Sequence, residues 1–242
     1  MKIDAESLDY RALNDRINDV IKDGESELEL ENVCGHRYIG AGLGDGLRIS
    51  VNGTPGNDLG AFMNGADLTV NGNAQDATGN TMNDGRIVIH GDAGDLPAHS
   101  MRGGRILVRG RVGYRAGIHM KAFRHHFPVL VVGETTGDYA GEYMAGGVIV
   151  VLNRSELSES PVGMCLGTGM HGGTIYVRGN VEPHQLGQEL GRDEITDQDA
   201  EHLESYIAEY EDRLDVQVDI SPGEFLKFVP TTSRPYGKLY AY

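Results

Sequence analysis

Nine histidines, two cysteines and a set of aspartates are the residues with which this 242-residue chain could do chemistry. His125 and His126 are adjacent, so on a strand they would face opposite ways. His119 and His171 flank methionines on different sides and are not expected to stack. No His pair has the H-x-x-x-H spacing beside a carboxylate, so solvated or hydrogen-bonded histidines are expected rather than metal ligands. Cys34 and Cys165 have neither metal spacing nor a disulfide framework and read as small buried apolar residues. Two distant cysteines cannot hold an iron–sulfur cluster alone. Asp58, Asp76, Asp95 and Asp138 lie near glycines, and Asp76 and Asp95 are 19 residues apart and able to stack. Grouped aspartates admit calcium binding and a self-contained carbohydrate-active enzyme. Turn capping by their side chains is the plainer reading.

Sequence motifs add no catalytic constellation. GTGMHG, Gly167 to Gly172, matches G-x-G-x-x-G, but the dinucleotide fingerprint needs a strand before it and a helix after it. Here GTIYVRG, a strand pattern, follows. There is no G-x-x-x-x-G-K-[ST] and no G-x-S-x-G. The sequence therefore assigns no catalytic, no cofactor-binding and no metal-binding residue to this chain.

The elements that would hold such residues are repetitive. Glycine numbers 35, about twice the usual share of roughly 7%. Met63, Met82, Met101, Met120, Met144 and Met170 recur at steps of 19, 19, 19, 24 and 26. The residues closing each apolar run keep nearly the same beat: Gly53, Gly72, Gly91, Gly110, Gly133, Asn153 and Gly179. Runs such as Arg105 to Arg109 alternate with the period of a strand. Gly56, Gly94 and Gly113 follow three residues after a closing glycine, and Gly60, Gly79 and Gly117 follow seven after one. These are read as corners that turn through positive φ. One such unit cannot bury its apolar face alone, but stacked units can. The expected fold is mainly β: a single-stranded, right-handed parallel β-helix with coils of about 19 residues, with the methionines stacked inside. The left-handed hexapeptide helix, at 18 per coil, fits poorly. Insertions fall in KAFRHHFPVLVVG (Lys121 to Gly133) and in RSELSESPV between Asn153 and Gly163.

Both ends read as helical caps, since open solenoid ends invite edge-to-edge association. Residues 1–32 form an N-terminal cap: a helix with Tyr10, Leu13, Ile17 and Val20 on one stripe, stopped at Gly24, and then the short strand ELELENV. Residues 33–180 form the β-helix. Residues 181–242 form an acidic helix and a tail packed on the solenoid, in which GRDEITDQDAEHLESYIAEYEDRLD carries the stripe Ala200, Leu203, Ile207, Tyr210 and Leu214. The ending FLKFVPTTSRPYGKLYAY is a compact aromatic and basic tail.

The net charge of −15 argues against nucleic acid and against an anionic membrane surface. No run approaches a membrane span, and the polar start is no signal peptide, so a soluble cytoplasmic protein is expected.

GLGDG (Gly42 to Gly46) is a literal G-x-G-x-G. With DLGAFMNGADLTVNGNAQDATGNTMNDGRIVIHG and GDYAGEYMAGGVIVVLN, it closely resembles the C-terminal β-helix domain of the glutamate synthase large subunit, here in stand-alone form. The resemblance is strong over residues 33–180; the ends resemble only the stand-alone form. It implies a non-catalytic scaffold that holds a glutaminase-type subunit and an FMN/iron–sulfur synthase-type subunit together. FMN and the cluster would sit on those partners, none on this chain, and a homo-oligomer is open. The complex would convert glutamine and 2-oxoglutarate to glutamate. The same repeat occurs in one of the subunits of formylmethanofuran dehydrogenase, which implies an equivalent scaffold in that complex.

Overall fold

The structure is a computed structural model that describes residues 1–124, 126–156 and 160–232. Its strands are β1 (Lys2–Asp4), β2 (Glu27–Cys34), β3 (Arg48–Thr54), β4 (Asn64–Asn71), β5 (Asp84–Ile89), β6 (Arg105–Val108), β7 (Val129–Val132), β8 (Ala145–Val151), β9 (Gly172–Arg178), β10 (Leu190–Asp193) and β11 (Phe225–Pro230). They form one sheet in which β1 to β9 follow in chain order, each parallel to the last. The chain is thus a parallel β-solenoid. Arg48, Asp67, Arg86 and Arg105 pair in succession at the expected step of 19. Arg105 then pairs with Val129, Val129 with Val148 and Val148 with Thr174, so the longer steps coincide with the two insertions.

Inside, the register stacks Ile49, Leu68, Ile87, Ile106, Leu130, Ile149 and Ile175 in one row. The six ladder methionines are fully buried. At about 1.5–3 kcal/mol per large side chain, burial of these rows drives the fold. Simple alternation does not hold along the whole sheet. One outward row begins Glu29, Ser50, Thr69 and continues Val88, Leu107, Val131, Val150, Tyr176. The later strands are buried on both faces because a helix covers them.

That helix is α2 (Asp197–Leu214). Leu203, Tyr206, Ile207, Tyr210 and Leu214 pack with the outward valines and Tyr176 in a second core. The helix starts later than its acidic composition suggests: Gly191 to Asp193 belong to β10, and Thr196 caps the first turn in a capping box with Asp199. At the N-terminal end, Asp9 accepts from the amides of Arg11 and Ala12 to start α1 (Tyr10–Lys22), whose Leu13, Ile17 and Val20 close the main core. Gly24 follows at φ +99°. The short charged strand β1 forms the sheet edge, a feature not expected from the sequence. At the other end, β11 joins β9 antiparallel and pairs in turn with β10. The rest of the aromatic tail, residues 233–242, lies outside the described residues.

Candidate functional site

Between strands, each coil makes a run of tight turns in which every second residue is left-handed. Asp58, Gly60 and Phe62 form one such set, and Arg115, Gly117 and His119 another. The corner glycines Gly60, Gly79 and Gly117 hold positive φ, and non-glycine residues share the region: Asp58, Ala77, Leu96, Arg115 and Tyr139 all hold φ near +60°. Such a residue costs about 1–2 kcal/mol, offset here by main-chain bonds to both neighbouring coils. For example, Asp58 N donates to Asp76 O at 3.0 Å, and Gly60 N to Ile39 O at 2.8 Å.

The glycines three residues after a strand end serve a different purpose. Gly94 and Gly113 are not left-handed; a Cβ there would meet Asp76 Oδ1 at 2.2 Å and Asp95 Oδ1 at 2.0 Å. Those carboxylates accept from the amide of the next coil, Asp95 N to Asp76 at 2.9 Å and Tyr114 N to Asp95 at 2.8 Å. Asp138 does the same for Met164 N at 2.8 Å. Three of the aspartates that raised a calcium site, Asp76, Asp95 and Asp138, therefore cap main chain of the next coil, and the fourth, Asp58, accepts from the Asn80 side chain at 2.9 Å.

The histidines are spread. His119 stacks on Tyr143 at 5.4 Å and lies 6.3 Å from His99. His36 is buried, with Nε2 against Leu8 O at 2.9 Å and Nδ1 accepting from Cys34 N at 3.1 Å, which assigns the Nε2–H tautomer. His125 lies outside the described residues. Among the described residues, no group of three His, Cys, Asp or Glu is placed to hold a metal ion. Cys34 is exposed and Cys165 half-buried, both free. The reading of both as buried is corrected: Cys34 ends β2 on its outward side, and Cys165 sits in a left-handed turn position. β9 begins at Gly172, the last residue of GTGMHG, and Gly167 and Gly169 are turn residues.

The most buried charged cluster joins three elements, and sequence reasoning missed it. Asp199 accepts from Tyr176 at 2.5 Å, Lys227 at 2.8 Å and Thr196 Oγ1 at 2.6 Å. Burial of the Tyr176 phenol and its bond to Asp199 push its pKa far up. Burial is also the largest effect on Asp199 and pushes it up, but the bonds from Lys227, Thr196 and Tyr176 together hold it below the usual carboxylate range. Each group is committed to a neighbour, so the cluster fastens α2 to β9 and β11. A groove of about 540 Å³ lies beside α2, where Arg86 bridges Asp67 at 3.2 Å and Glu209 at 2.9 Å, and Arg105 meets Glu209 at 3.3 Å. Its arginines are paired within the chain, as in a structural ion network.

A parallel solenoid whose coils repeat the same turns, with alternate residues left-handed, defines a repeat protein. Residues 25–221 match the GXGXG motif family, and the chain belongs to that family. The uncharacterized protein MJ1350 of Methanocaldococcus jannaschii is 45% identical over 248 residues, spanning 98% of this chain and 95% of the relative. A chain of the formyltransferase/hydrolase complex (FhcABCD) of Methylorubrum extorquens, solved in complex with methylofuran, is similar at a TM-score of 0.60 and 26% identity. That likeness covers 75% of this chain and 68% of the other. No helix among the described residues is long and apolar enough to cross a membrane.

Proposed function

We propose that this chain is a non-catalytic structural subunit of a multi-subunit enzyme that handles formyl groups. The observation that carries the reading is the likeness to a chain of the formyltransferase/hydrolase complex. Of the two complexes the sequence resembles, this supports the formyl one, the kind represented by formylmethanofuran dehydrogenase. The commitment of the polar groups to the chain's own backbone and ion network agrees with a scaffold role. The second reading is a glutamate synthase-type scaffold, with FMN and an iron–sulfur cluster on its partners. It rests on the runs from Asp58 to Gly91 and from Gly137 to Asn153.

Affinity purification of the tagged chain from its native cells tests both. Recovery with formyltransferase- or hydrolase-type subunits supports the first. Recovery with glutaminase-type and FMN/iron–sulfur subunits replaces it with the second. Turnover of a substrate by the isolated chain would overturn the scaffold role.

A further inference from the structure

The net charge of −15 conceals an uneven distribution. From Leu96 to Gly133 the chain carries six arginines, one lysine and four histidines, and no Asp or Glu. Outside that segment 36 acidic residues face 14 basic ones. The segment wraps the solenoid around β6 as a positive belt on an otherwise acidic body. Two of its arginines are used internally: Arg105 on Glu209 at 3.3 Å, and Arg115 on Glu142 at 2.9 Å. Among the described residues, Arg102, Arg109, Arg111 and Arg124 form no ion pair with a carboxylate.

On the side bearing the tight turns, the belt becomes a face. Lys121 N donates to Met101 O at 2.9 Å, which sets Lys121 on the coil above Arg102. His119 and Tyr143 stack one row away. The first insertion closes a hairpin through Phe123 and His126, joined by two main-chain bonds of 3.0 Å. It places His126 against Gly103, next to Arg102, and leaves Arg124 exposed, while Phe127 turns to the groove beside α2, where its carbonyl accepts from Arg105 at 3.2 Å.

We propose that this face, with Arg102, Lys121, Arg124, His119 and Tyr143, docks an acidic surface of a partner protein within the complex. The inference rests on the reading of the chain as a subunit. Charge complementarity selects the occupant, since a carboxylate-bearing partner supplies what the segment itself lacks and is steered to it. Exposed Arg and aromatic residues are the types that anchor protein interfaces. An extended polyphosphate would run off the belt onto the acidic coils on either side. The sheet face opposite the core is already occupied over its later strands by α2.

The test uses the full chain, expressed with a tag in its native cells. Three forms are compared: the parent, the charge-reversed pair Arg102→Glu/Lys121→Glu, and the control pair Lys2→Glu/Arg48→Glu on the far strands. Copurifying subunits are identified by mass spectrometry at low and high salt. Zero-length cross-linking of amines to carboxylates then maps the contact. The parent is expected to bring down one subunit in a salt-sensitive way, with Lys121 cross-linked to its Asp or Glu. The charge-reversed pair should lose it by about tenfold or more, and the control should keep it. Thermal melting checks that each form is folded, and Arg102→Gln/Lys121→Gln replaces the reversed pair if that one is not. Undiminished recovery with the reversed pair overturns the proposal. So does a Lys121 cross-link to a second copy, or recovery of nucleic acid in place of a subunit. A parent that brings down no subunit at either salt sinks the underlying subunit reading instead.

Discussion

Thr136 is buried with its hydroxyl lacking a hydrogen-bond partner among the described residues. It stands in a ladder with Ala74, Ala93 and Val112, positions the other coils fill with apolar side chains. Thr136→Val keeps the shape and removes the desolvated hydroxyl, so it should raise stability by about 1 kcal/mol, seen as a higher melting temperature. Asp199 is the opposite case. Its carboxylate is held below its ordinary value of 3.8 once the bonds from Lys227, Thr196 and Tyr176 outweigh burial. A lowered folded-state pKa means its stabilisation is fully present above the ordinary value and is lost as pH falls through the lowered one. Asp199→Asn should therefore cost about 3 kcal/mol near neutral pH, with the gap to the parent closing in acid. Melting curves across pH check the convergence. Neither residue was visible as special in the sequence. Thr136 occupies an ordinary turn-rich stretch, and two of the three partners of Asp199, Tyr176 and Lys227, are brought to it only by the packing of α2 on β9 and β11. Cys34 was misjudged for a related reason: composition predicts burial, but its place at the outward end of β2 decides exposure.

Each coil holds the next through side chains as well as main chain. Asp92 Oδ1 accepts from Arg111 N at 2.7 Å, and a Cβ on Gly110 would lie 2.0 Å from that oxygen. Gly110→Ala should cost about 2 kcal/mol by displacing the carboxylate. The cost should shrink in an Asp92→Ala background, because the clash is then gone; a double-mutant cycle by denaturant unfolding measures a coupling of about 1 kcal/mol or more. Interior and surface also separate cleanly along the coils. Met101 is fully buried, so Met101→Asp should cost several kcal/mol. Phe62 is 58% exposed, so Phe62→Asp should stay within about 0.5 kcal/mol. The period and the methionine stack were legible in the sequence because spacing alone fixes which residues align between coils. The start of α2 was not, because the capping box of Thr196 and Asp199 sets it against an acidic run that continues upstream. The double-sided burial of β5 to β9 becomes visible only when the coils are aligned, as one outward row changes from Glu29, Ser50 and Thr69 to valine and leucine.

A solenoid is nearly one-dimensional, and each coil is stabilised mainly by its two neighbours. α2 departs from that rule. It begins at β9 with Asp199 on Tyr176, reaches Arg109 O through Tyr210 at 3.1 Å, grips Arg86 and Arg105 with Glu209, and extends to Asp67 of β4 with Arg213 at 3.8 Å. One helix thus ties together coils that otherwise communicate only in series, and it should merge their opening into a single cooperative event. Leu203 and Tyr210 are the apolar anchors of that staple, both fully buried. In the parent, hydrogen exchange should show the amides of β4 to β9 opening together. In Leu203→Ala/Tyr210→Ala, β8 and β9 should lose protection first, while β2 and β3, beyond the helix, keep theirs. A uniform loss along the solenoid would mean that α2 adds contact energy without coupling the coils, and that cooperativity resides in the stacked turns alone.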